Sequence, residues 1–155
     1  MCDVKKVFDS LKARGWKISF AESCTGGLAA ATLVALDGSS SVFDGSFVTY
    51  ANESKVKYVG VCPDTISSFG VVSEEVAGQM AQGCATAYAS EVGVGISGIA
   101  GPTGGTPTKP VGTVCFGFYV DGALHTRTCH FANLDRQGVR EKAVAYVYEI
   151  LAKLL

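Results

Sequence analysis

The chain has 155 residues, 48% hydrophobic and 17% charged, with a formal net charge of −1. That length and composition suit one domain with a real core and exclude disorder. The near-neutral charge lacks the basic face of a nucleic-acid binder, and no apolar stretch approaches the roughly 18–20 residues that cross a bilayer.

Val4, Val7, Phe8 and Leu11 recur at helical spacing before Gly15, which predicts an amphipathic helix over 3–14. The start, Met1-Cys2-Asp3-Val4-Lys5-Lys6, has no apolar signal core, so a cytoplasmic protein is expected. Residues 17–21 read as a strand, and an apolar helical run over 26–36 follows the turn Glu22-Ser23-Cys24-Thr25-Gly26-Gly27. A turn cluster at 37–41, a strand at 47–50 and a short polar helix from near Asn52 come next. Pro63 and Gly70 punctuate the middle. Ser73 precedes Glu74 and Glu75, a capped and dipole-matched start for a long helix to about Ala89. Val92–Ile96 is a buried strand that runs into a Gly- and Pro-rich loop, 98–110. Residues 111–120 and 124–131 form a hairpin about Asp121-Gly122, and Asp135 caps a last helix to about Leu154. This order predicts one three-layer α/β/α domain, residues 1–155, with a mixed, mostly parallel sheet.

The turn at 22–27 places the Ser23 hydroxyl and the Cys24 thiol where a helix start exposes unpaired N–H groups. Those groups, with Cys24, Thr25 and Gly26 beside them, are candidate donors for a substrate oxyanion. On the turn alone, a capping role for Ser23 or Thr25 is an equal reading. A serine nucleophile needs a base, yet His125 and His130 both fall mid-strand. Lys55, one turn beyond Tyr50, serves if burial lowers its pKa from about 10.4 to roughly 7–8, with Tyr50 assisting the transfer; taken alone, the two read better as an aromatic strand end and a surface lysine. Cys24 stays a rival nucleophile, since a helix N-terminus favours a thiolate. The six cysteines show no C-x-x-C spacing and read as free thiols; no metal and no cofactor are expected.

Gly93-Val94-Gly95-Ile96-Ser97-Gly98 matches G-x-G-x-x-G, but its glycines lie within a strand and no helix starts there, so a dinucleotide fingerprint is rejected. The following loop, 98–105, offers backbone N–H groups that suit phosphate. Arg136 and Arg140, four apart on the last helix, suit it as well.

Five stretches stand together: 22–27, Phe47-Val-Thr-Tyr-Ala-Asn-Glu-Ser-Lys55, Gly70-Val-Val-Ser-Glu-Glu75, Ser97-Gly-Ile-Ala-Gly-Pro102 and Lys109-Pro-Val-Gly-Thr-Val114. In that order and spacing the chain resembles the C-terminal domain of CinA, the competence/damage-inducible protein, also found alone as nicotinamide-nucleotide amidase. The resemblance covers about residues 4–153. It implies deamidation of nicotinamide mononucleotide to nicotinate mononucleotide and ammonia, in pyridine nucleotide salvage, and a homo-oligomer. The family's serine, tyrosine and lysine fall on Ser23, Tyr50 and Lys55. Its substrate loop falls on 97–105, including Ser97, Gly98, Gly101 and Gly104, and its C-terminal arginines on Arg136 and Arg140. Gly45-Ser46 stands where members usually carry an Arg-Gly pair, and Ser97 where threonine is common. The other class of function compatible with the resemblance is a non-catalytic nucleotide-binding or regulatory module.

Overall fold

The computed structural model describes residues 2–155; Met1, the first residue of the expected domain, lies outside them. Helix α1 (Cys2–Arg14) buries the four apolar positions of its stripe and stops at Gly15, whose φ is +66°. Strand β1 (Ile18–Glu22) follows, then α2 (Leu28–Val34), β2 (Phe47–Val48), α3 (Asn52–Val59), α4 (Pro63–Phe69) and α5 (Glu74–Tyr88). Strands β3 (Val92–Gly98), β4 (Thr113–Val120) and β5 (Ala123–His130) lead to α6 (Arg136–Leu154). The expected caps form: Ser73 Oγ accepts from Val76 N–H, and Asp135 accepts from Gly138 N–H.

The strands make one sheet in the order β2-β1-β3-β4-β5. β1 pairs parallel with β2 and β3, and β4 pairs antiparallel with β3 and β5. Four of the five strands therefore point one way, β4 alone reversing. One face carries α1, α2 and α6, packed on Ile18, Phe20, Val92, Val94, Ile96, Phe116 and Phe118. The other carries α3, α4 and α5, with Val59, Val76, Met80 and Cys84 packed on Ala21. The result is the three-layer α/β/α sandwich with a mixed sheet that the element order predicts.

The G-x-G-x-x-G stretch has a packing role. A Cβ on Gly95 would lie 2.8 Å from Ala81 N and 2.9 Å from Met80 Cβ, and one on Gly93 would lie 2.8 Å from Ala85 Cβ. These glycines let the small-residue side of α5 reach the sheet.

Two local departures have simple causes. α2 begins at Leu28 rather than 26, because Gly26 and Gly27 adopt φ of +59° and +99° and hold the chain in a left-handed turn first. Residues 63–69 are helical although they read only as punctuation; Pro63 opens the helix at N1 and Gly70 ends it, with no residue fully buried between them. Among the described residues no helix is long and apolar enough to cross a membrane.

Candidate active site

β1 leads straight to Ser23. Its N–H donates to Ile96 O at 3.0 Å, which extends the β1–β3 ladder by one residue, and its carbonyl accepts from Gly26 N–H at 3.1 Å, which closes the turn. Glu22, fully buried just before it, binds that turn from inside. Its carboxylate accepts from Thr25 Oγ1 at 2.5 Å, Gly27 N–H at 3.1 Å, Ala29 N–H at 3.1 Å and Ala30 N–H at 2.9 Å. The start of α2 is thus filled by the protein's own carboxylate rather than left open for an anion. Of the turn's N–H groups expected to serve an oxyanion, those of Cys24 and Thr25 alone keep no acceptor among the described residues. The sequence reading missed Glu22; a lone carboxylate three residues before a threonine resembles any loop acid until the helix start folds over it.

α3 brings Lys55 beneath the turn. The side chain is only 1% exposed. Its Nζ lies 2.7 Å from Thr49 O, 3.1 Å from Tyr50 O and 3.2 Å from Ser23 Oγ. The two carbonyls can only accept, so they fix two N–H bonds and leave the third tetrahedral position facing Ser23. Burial holds the amine below its ordinary pKa of 10.5. When Lys55 is neutral, a lone pair points at the serine proton. Burial acts oppositely on the neighbouring thiol, pushing Cys24 up to about 11.

Ser23, Cys24, Tyr50, Lys55, Ser97, Gly98 and Arg136 line one cavity of about 190 Å³, with Asn52, Val71, Val72 and Ala100. Tyr50 meets Lys55 through its carbonyl. The tyrosine is 64% exposed, and its hydroxyl accepts from Arg136 Nη2 at 3.1 Å. Arg136 also donates to Gly101 O at 2.7 Å, so it links the rim of the cavity to the Gly-rich loop. Ser97 Oγ donates to Val71 O at 2.8 Å.

Arg140 goes elsewhere. It donates from Nε to Cys24 O and from Nη2 to Thr25 O, both at 3.0 Å, pinning the Ser23 turn from outside. Thr25, Gly26, Gly101, Gly104 and Arg140 do not line the cavity. Thr25 is spent on Glu22, Gly26 shapes the turn, and Gly104 lies out on the exposed loop. His130 bonds Thr113 through Nδ1 at 3.1 Å, on β5 and away from the cavity. A larger groove of about 780 Å³ between α5 and β5 gathers Glu74, Gln79, Lys109 and Thr128, and its one serine, Ser73, is engaged by Gly70 O and Val76 N–H at the start of α5. At Gly45, where resemblance suggested an arginine, a Cβ would lie 2.7 Å from Tyr88 Cζ. Tyr88, packed on Phe47 at 5.3 Å, occupies that space.

A family described as the CinA C-terminal domain matches residues 3–155. The nicotinamide-nucleotide amidohydrolase PncC of Enterobacter agglomerans is 47% identical over 138 residues, which are 88% of this chain and 84% of that protein. A CinA-like protein of Fervidobacterium nodosum is 43% identical over 95% of this chain. The chain spans only about a third of that longer relative, 36% of its length. Among solved structures, the competence damage-inducible protein A of Klebsiella pneumoniae superposes with a TM-score of 0.93 at 34% identity, covering 97% of this chain and 93% of that one. The competence/damage inducible protein CihA of Agrobacterium tumefaciens gives 0.92 at 37% identity, covering 98% and 93%.

Proposed function

The chain belongs to the CinA C-terminal domain family, and we propose that it is an amidohydrolase converting nicotinamide mononucleotide to nicotinate mononucleotide and ammonia within pyridine nucleotide salvage. The observation that carries the proposal is the buried Lys55 amine 3.2 Å from Ser23 Oγ, inside a cavity. Similarity to the nicotinamide-nucleotide amidohydrolase PncC supports this choice of substrate.

Lys55, neutral, takes the Ser23 proton as Oγ attacks the carboxamide carbon. The Cys24 and Thr25 N–H groups, free of other acceptors, are the donors available to the oxyanion. The Lys55 ammonium hands its proton to the departing nitrogen, ammonia leaves, and an ester to Ser23 remains. Water then gives a proton to Lys55, its oxygen attacks the acyl carbon, and the proton returns to Ser23. Tyr50 assists by orienting Nζ with its carbonyl and by holding Arg136 with its hydroxyl. Arg136, with the loop at 98–105, takes the phosphate end. Nothing in the scheme calls for a metal or cofactor. The same reading expects a cytoplasmic homo-oligomer, supported by family resemblance.

The deciding assay is ammonia release from nicotinamide mononucleotide. Ser23→Ala should abolish it while the protein stays folded. Full activity in that variant would remove Ser23 as nucleophile. Nucleotide binding without turnover in the unaltered protein would instead mark a non-catalytic module.

A further inference from the structure

The ends of three parallel strands set three hydroxyl side chains in one row. Ala21 pairs with Phe47 and Glu22 with Val48, so Ser23 follows beside Thr49, and Thr49 N–H continues the ladder to Glu22 O at 2.8 Å. Across β1, the pairs Ala21–Gly95 and Glu22–Ile96 place Ser23 beside Ser97. Side chains alternate faces along a strand. Val48 is exposed on one face, whereas Thr49 is 1% exposed on the other, the face that holds Lys55. Ser23 Oγ has Lys55 as partner and Ser97 Oγ has Val71 O. Thr49 Oγ1 is the buried side-chain polar atom left without a partner among the described residues. Such an atom in a native interior calls for a reason. The same residue's carbonyl lies 2.7 Å from Lys55 Nζ, which puts the Thr49 main chain that carries this side chain beside the amine.

We propose that Thr49 is a positioning residue whose hydroxyl becomes the alternative acceptor for the Lys55 ammonium while Ser23 Oγ is bonded to the acyl carbon. This rests on the amidohydrolase reading. In the resting site, the third position of Nζ faces Ser23 Oγ. Once Oγ–H has given its proton to Nζ and the oxygen is bonded to the tetrahedral carbon, that oxygen is a poor acceptor. The same lack recurs when Nζ takes a proton from water in the second half of the reaction. The Thr49 lone pairs then steady the ammonium until it passes the proton to the departing nitrogen or back to Ser23. No bond to Thr49 forms or breaks.

Thr49→Val keeps the shape and the main-chain carbonyl and removes only the hydroxyl. Expected is a fall in kcat of roughly 10- to 100-fold, below the roughly 10²–10⁴-fold of a general base itself. KM should hold, and the thermal midpoint should hold or rise, because an unpartnered buried hydroxyl is gone. Thr49→Ser should recover most of the loss, and quenched Thr49→Val enzyme should carry more acyl adduct on Ser23 by mass spectrometry. A Thr49→Val variant with unaltered kcat, with kcat and midpoint falling together, or not rescued by serine overturns the proposal. If Ser23→Ala is inactive and Thr49→Val is not impaired, this inference alone fails. If Ser23→Ala is active, the reading beneath it fails.

Discussion

Lys55 sits among two carbonyls and a hydroxyl and makes no ion pair among the described residues, so burial dominates its titration and favours the neutral amine. Two consequences share one sign. Activity should rise with pH as the amine loses its proton, with that limb below the 10.5 of ordinary lysine. Stability should rise too: between the lowered pKa and 10.5 the unfolded chain holds a proton that the folded chain has lost, so raising the pH favours folding. Lys55→Met should remove this contribution to the pH slope and lower kcat by roughly 10²–10⁴-fold. Urea unfolding at neutral and alkaline pH and the pH profile of kcat/KM measure both; a loss under tenfold would take Lys55 out of the mechanism. Next door, the Cys24 thiol, pushed up to about 11, stays protonated near neutrality. Cys24→Ser should therefore keep most of the activity, and a dead variant would favour the thiol as nucleophile.

At the level of single elements, α2 and α6 hold the turn between them. Glu22 satisfies the start of α2 from within, and Arg140 grips Cys24 O and Thr25 O from the first turns of α6. Glu22→Gln would set amide hydrogens against backbone N–H donors, at a cost of about 2–3 kcal/mol from lost charge-assisted bonds and unsatisfied donors. Denaturant unfolding should register that loss, with a lower kcat per folded molecule; unchanged stability would show the clamp to be idle. The two arginines of α6 should separate in kinetics. Arg136→Ala should raise KM for the nucleotide more than for the dephosphorylated riboside, whereas Arg140→Ala should lower kcat for both alike. The sequence carried α1, α5 and α6 plainly, because α1 combines an apolar stripe with a stop at Gly15 and the other two open on the capping residues Ser73 and Asp135. α4 escaped because it has no fully buried residue to mark a stripe. Ser23 and Lys55 were candidates through chemistry and family resemblance together, since Ser23 alone reads equally as a cap and Lys55 alone as a surface lysine; their approach to 3.2 Å depends on the fold. The different destinations of Arg136 and Arg140 were not, since residues four apart on a helix read alike until contacts more than a hundred residues away divide them.

For the molecule as a whole, the site lies at the carboxyl ends of β1, β2 and β3, where the chain leaves β1 toward one layer and reaches β3 from the other. α2, between β1 and β2, packs on the face with α6; α3 to α5, between β2 and β3, pack opposite. Strand order reverses direction at β1, which opens a crevice above the parallel strands. How far α5 stands from the sheet then fixes one wall of that crevice, because Val71 and Val72, just before α5, line the cavity. Gly95, with Gly93 and Gly117, sets that distance. Gly95→Ala would bring a Cβ to 2.8 Å from Ala81 N, against main chain that cannot rotate aside, so α5 must move outward. Overpacking of this kind costs about 1–3 kcal/mol. The expected result is a lower thermal midpoint together with lower turnover, since the same shift displaces the wall facing Ser23. Pairing the variant with Gly122→Ala, at the hairpin tip where an added Cβ meets nothing within 4 Å, separates close packing from glycine loss in general. The hairpin variant should lose some stability from its φ of +89° but keep its turnover. Equal turnover in the two would mean that α5 does not set the site.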